Sequence, residues 1–148
     1  MTPDAFPLSW PLGRPRTKRP KRSQFKSSMA DARDGLFDEL RRLGARDVVV
    51  STNIETYERG GRRVPYANQT VGDPGAAVYF TKKGNQFAFA CDRWDRVGDN
   101  LHAIARAARW GGIDRRTIER KRDGAVPVTG WDVGAIEQFA LADRSSRD

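Results

Sequence analysis

Between Gly13 and Ser27 stand Arg14, Arg16, Lys18, Arg19, Lys21, Arg22 and Lys26, with no acid among them. Clustered Lys and Arg attract a phosphate backbone, because neutralising phosphates releases condensed counterions, and a flexible arm can follow a groove. If all seven cations met duplex phosphates, the salt slope of binding would approach roughly −6, at about −0.9 per contact. A second basic run, Arg115, Arg116, Arg120, Lys121 and Arg122, surrounds Glu119, and together the runs outline a bipartite footprint for DNA or RNA. The competing reading is a solvated tail that meets acidic partners through charge alone. Net charge is +8, so the seven arm cations leave the rest of the chain almost neutral.

Other chemistry is less well supported. Asp92, Asp95 and Asp99 have the spacing of one helix side and could offer oxygen ligands to Mg²⁺ for phosphodiester hydrolysis. Asp92 reads more simply as a helix cap and Asp95 as a first-turn acid, so no metal is assigned. Asp114 and Glu119-Arg120-Lys121 match only the short tail of some nuclease signatures, on a segment that reads as an exposed helix. Cys91 ends an apolar strand with no base in view, and His102 reads as a residue packed at the core edge. With one cysteine and one histidine there is no zinc set, and no glycine-rich phosphate loop occurs. No catalytic constellation and no cofactor follow from these residues.

Several elements must position the arm. Apolar residues make up 38% and charged residues 31% of the 148, too polar a balance for every residue to share one core. Pro3, Pro7, Pro11, Pro15 and Pro20 make residues 1–27 an extended arm, and their spacing contains no P-x-x-P. Phe6, Leu8, Trp10 and Leu12 alternate within it, which predicts partial docking, with Trp10 between the first helix and the sheet.

Ser28 and Asp31 begin a helix over about 29–43, which Gly44 ends. Alternation from Val48 to Ile54 predicts a strand over 47–54. Gly60-Gly61 and Asp73-Pro74-Gly75 bracket a polar loop with a short strand at Arg63–Tyr66. A hairpin over 77–90 turns at Lys82-Lys83-Gly84-Asn85, with positive φ expected at Gly84-Asn85. Asp92 is expected to cap a second helix carrying Trp94, Val97, Leu101, Ile104 and Ala108. Short helices at 115–122 and after Asp132 complete the reading. The fold class is α+β: a small antiparallel sheet covered by two helices, in α-β-β-β-α order. The units are an arm (1–27), a core (28–112) and a helical C-terminal extension (113–148).

The strings Trp10-Pro11-x-Gly13-x-Pro15-Arg16-Thr17, Leu43-Gly44-Ala45-Arg46-Asp47, Pro65-Tyr66-Ala67, Asp73-Pro74-Gly75-x-Ala77-Val78-Tyr79-Phe80 and Phe89-Ala90-Cys91-Asp92-Arg93-Trp94-Asp95 resemble those of a family encoded by bacteriophages and mobile elements. Longer members of that family often carry a C-terminal J domain. The resemblance covers about residues 8–110 and brings no catalytic residues with it. A J domain requires His-Pro-Asp, whereas His102 is followed by Ala103 and Ile104.

The sequence thus points to a non-enzymatic accessory protein of a phage or mobile element that binds DNA or RNA through its arm. An adaptor module contacting a host or phage protein through the sheet and the Trp94 helix is the alternative, and a metal-dependent nuclease the remote one. No basic-plus-apolar leader opens the chain and no membrane-crossing run occurs, so a cytoplasmic location is expected.

Overall fold

The computed structural model describes residues 3–11, 15–22, 28–111 and 126–129. Helix α1 (Met29–Leu43) begins where the Ser28 hydroxyl accepts the Asp31 N–H. It ends at Gly44 (φ 86°), whose N–H bonds Arg41 O while the Ala45 N–H bonds Leu40 O. That bond pair is a Schellman stop, and its left-handed residue is least strained as glycine.

Strands β1 (Arg46–Thr52), β4 (Ala76–Lys82), β5 (Asn85–Cys91) and β6 (Val126–Thr129) form an antiparallel sheet in the order β1-β4-β5-β6. β1 stops two residues short of the expected end, because the Ile54 N–H turns back onto the Thr52 hydroxyl. Lys82 and Asn85 pair across the β4–β5 turn, so positive φ falls on Lys83 (50°) and Gly84 (80°), one residue earlier than expected. Two successive positive φ values match the twist that a two-residue hairpin needs.

A second hairpin, β2 (Thr56–Arg59) with β3 (Arg62–Pro65), occupies the segment read mainly as loop. Its turn is Gly60-Gly61, both at positive φ, and its largely exposed polar strands lack the apolar alternation by which strands are recognised. β6 also has no counterpart among the elements expected from the sequence. The expected helices at 115–122 and after Asp132 lie outside the described residues.

Helix α2 (Val97–Gly111) starts five residues after Asp92, which is therefore not its cap. Trp94 precedes the helix and is buried, at 5% exposure. Asn100 explains the delay. Its carboxamide oxygen accepts the Trp94 N–H at 3.0 Å, and its NH₂ donates to Pro74 O at 2.7 Å and Trp94 O at 3.0 Å. This buried side chain satisfies backbone groups of a non-helical turn, and so favours that turn over helix.

The sheet has two covered faces. Val50, Val78, Phe80, Phe89 and Cys91 pack with Leu36 and Leu40 of α1 and Leu101 and Ile104 of α2. At Gly98 an added Cβ would lie 3.2 Å from Met29 Cα, so glycine allows the two helices their close approach. On the opposite face Ala77, Tyr79, Ala88 and Ala90 are buried beneath Leu8 and Trp10. The α+β arrangement of a small antiparallel sheet covered by two helices is the one expected, and no described helix is long and apolar enough to cross a membrane.

Candidate nucleic-acid interface

The arm is sewn to the body by backbone and side-chain bonds in sequence order. Ala5 O accepts the Thr52 N–H at 3.1 Å, the Leu8 N–H reaches Asn53 Oδ1 at 3.1 Å, and the Ser9 N–H reaches the Ser51 hydroxyl at 2.7 Å. The Tyr79 hydroxyl donates to Ser9 O. Burial pushes the Tyr79 phenol well above its ordinary pKa, which keeps it a donor. Trp10 docks, but on the sheet face opposite the helices. The alternation of small Ala77, Ala88 and Ala90 around Tyr79 leaves a shallow apolar seat there, whereas α1 and α2 already fill the other side.

Asp92 forms the central clamp. Its Oδ2 accepts Arg16 Nε and the Thr17 N–H, each at 2.8 Å, and its Oδ1 accepts the Thr17 hydroxyl at 2.6 Å. Arg16 also donates to Asp73 and lies 4.6 Å above the Trp10 ring. Burial opposes the charged forms of Asp73 and Arg16 alike. The Arg16 hydrogen bond, the Gly75 N–H and the Asn53 side chain outweigh that cost for Asp73, which stays below the usual carboxylate range. Asp73 and Asp92 likewise raise Arg16 above its ordinary value. A Cβ at Gly75 would lie 2.9 Å from both Arg16 Nη2 and Leu8 Cδ2, so the ends of these two arm side chains would have to shift to admit it.

A second fastening lies four residues on. The Lys21 N–H donates to Arg93 O at 2.7 Å, and Lys21 O accepts the Asp95 N–H at 2.9 Å, a single parallel bridge flanking Trp94. Lys18, Arg19 and Lys21 are exposed on the segment that these two fastenings define and exposed Arg22 follows it directly, with exposed Arg96 close to the second. Such a segment is a fixed basic surface.

The structure thus divides the proposed phosphate-binding residues. Arg16 is engaged by the protein's own acids and acts as a clamp, while Lys18, Arg19, Lys21 and Arg22 face solvent. Arg14, Lys26, Arg115, Arg116, Arg120, Lys121 and Arg122 lie outside the described residues. Asp92, Asp95 and Asp99 do not assemble as a ligand set: Asp92 serves the arm, Asp95 is exposed and Asp99 is buried. Among the described residues no group of three His, Cys, Asp or Glu is placed to hold a metal. Cys91 is buried with its Sγ against Asn100 Oδ1, and His102 is half-buried.

Trp94 is core, and the central residues of both sheet faces are covered. Sequence reasoning missed the clamp residues Asp73, Gly75 and Asp92, although Asp-Pro-Gly already signalled an Asx turn, here the Gly75 N–H on Asp73 Oδ1. Comparison of the chain with protein-family models, curated proteins and solved structures gives no match.

Proposed function

We propose that this chain is a non-enzymatic nucleic-acid-binding accessory protein of a phage or mobile element, with Lys18, Arg19, Lys21 and Arg22 as its phosphate-contacting surface. One observation carries this reading: an exposed run of cations is held to the body at Thr17, by Asp92, and at Lys21, by the Arg93–Asp95 backbone. Cations on a fastened segment lose less ordering entropy on meeting a phosphate backbone than cations on a free tail. The mobile-element context rests on the resemblance of residues 8–110. Arg115, Arg116, Arg120, Lys121 and Arg122 would extend the same footprint.

The test is the salt dependence of binding to random-sequence duplex. Replacing Lys18, Arg19, Lys21 and Arg22 together by Ala should lower the slope magnitude by about 3.6, at about 0.9 for each phosphate no longer neutralised. Deleting the arm would be a poor substitute, because it would uncover Tyr79 and its alanine neighbours. No binding at low salt, or an unchanged slope in the fourfold variant, would contradict the proposal.

A further inference from the structure

We infer that the tyrosine pair Tyr57–Tyr66 is a base-stacking platform for single-stranded nucleic acid, which rests on the nucleic-acid reading above and adds to it a site for unpaired bases. Tyr66 and Phe6 are the large apolar side chains left exposed among the described residues, Tyr66 at 40%. The Tyr66 ring lies 4.8 Å from that of half-buried Tyr57, centroid to centroid, with the two planes 36° apart. Its backbone is fixed as well. The Tyr66 N–H donates to Glu55 O at 3.0 Å, and Arg33 Nη1 donates to the preceding carbonyl, Pro65 O, at 3.1 Å. An exposed ring propped on a second ring over a held backbone has little freedom left to lose when a base stacks on it.

Charge on the β2–β3 hairpin sorts by face. Tyr57 lies opposite Val64 and Arg59 opposite Arg62, so by the period of two these four share one face, while Glu58 and Arg63 oppose each other on the reverse. Two cations directly across a strand pair repel, a cost that the hairpin itself does not require. Neither is deeply neutralised. Arg59 meets Asp34 at 3.4 Å with both side chains at least half exposed, a surface contact that contributes little, and Arg62 lies 5.1 Å above the Phe37 ring. A phosphate beside a stacked base can therefore replace Asp34 as the partner of Arg59. Rings that take base faces and cations that follow the backbone are the two parts of a single-strand groove. In a duplex the base faces are already stacked on one another, so only an unpaired base can use the platform.

The platform and the basic segment border one cavity. Ala67–Thr70, which follow Tyr66 directly, line a cavity of about 410 Å³ together with Asp95 and exposed Arg96, and the Asp95 N–H is the group that holds Lys21 O. A single strand leaving Lys18–Lys21 therefore reaches Tyr66 by crossing the mouth of that cavity past Arg96.

The test compares the affinity of the full chain for a single-stranded oligothymidine of about 12 nucleotides, within the usual range of single-strand site sizes, with its affinity for random-sequence duplex. Tyr66→Leu keeps an apolar body and removes the ring. It should retain the circular dichroism of the parent and bind the single strand about 5- to 150-fold more weakly, the range for one base stacked on one aromatic side chain, with duplex affinity unchanged. Tyr66→Phe should bind the single strand as the parent does. In the parent, the ring-proton resonances of Tyr57 and Tyr66 should move upfield as oligothymidine is added, a readout that needs no variant. Oligouridine titrated in parallel distinguishes an RNA from a DNA source. Unmoved ring resonances, an unaltered single-strand affinity in Tyr66→Leu, or an equal loss of duplex and single-strand affinity would each overturn the platform and leave the basic surface standing. Absence of binding to either nucleic acid by the parent would overturn the nucleic-acid reading itself.

Discussion

At the scale of single residues, Asp73, Gly75 and Asp92 decide whether the arm is part of the molecule. A carboxylate held below its usual pKa in the folded state contributes stability above its unfolded value, and that contribution disappears as pH falls through the folded value. For Asp73 the unfolded value is about 3.8, so its contribution is complete near neutral pH and is lost below about pH 4. Stability of the parent relative to Asp73→Asn should accordingly be greatest at neutral pH and decline progressively as pH falls below about 4 in denaturant titrations. A difference that persists unchanged in acid would remove the ion pair from the account. Gly75→Ala forces a Cβ against the ends of Arg16 and Leu8, both on the arm. The arm should yield first. Limited proteolysis should cut within residues 12–20 faster than in the parent, with about 1–3 kcal/mol lost in unfolding.

Among elements, the turn before α2 depends on one side chain. Asn100→Ala removes the partners of Trp94 N–H, Trp94 O and Pro74 O at a buried site, and should cost about 2–4 kcal/mol by chemical denaturation. A loss below about 1 kcal/mol would mean that water replaces the carboxamide. The same turn marks where sequence reasoning stops. The α1 caps, the β4–β5 hairpin and the apolar face of α2 are legible because local residues dictate them. The start of α2 is not, since Asp92 has good capping chemistry, and neither its engagement by the distant Arg16 and Thr17 nor the hold of Asn100 on the turn can be read locally. β2 is obscured by its polarity, whereas β3 falls one residue before the short strand expected at Arg63–Tyr66, with Gly60-Gly61 marking the turn between them. In the candidate site the cations are plain in the sequence. Their fixation is not, because every fastening joins residues more than 40 positions apart.

At the scale of the whole molecule, the arm serves as the outer layer of the sheet, and its basic segment inherits the rigidity of the core. The body beneath is close to neutral, so the field that a polyanion meets is concentrated on one surface. Two opposed effects can be separated by a single substitution. Asp92→Ala deletes a negative charge, which raises the net charge and by electrostatics alone would tighten binding to a phosphate backbone. It also releases Thr17 and one of the two acids that hold Arg16, so the Lys18–Arg22 segment must be ordered on binding. Ordering even one residue costs about 1–2 kcal/mol, close to tenfold in affinity. The decisive measurement is the affinity of parent and Asp92→Ala for a random-sequence oligonucleotide across one salt series. A preorganised surface predicts parallel salt slopes with the variant about tenfold weaker at every salt concentration. Equal or tighter binding by Asp92→Ala would contradict it, and would leave the arm a charged tail whose attachment plays no part in recognition.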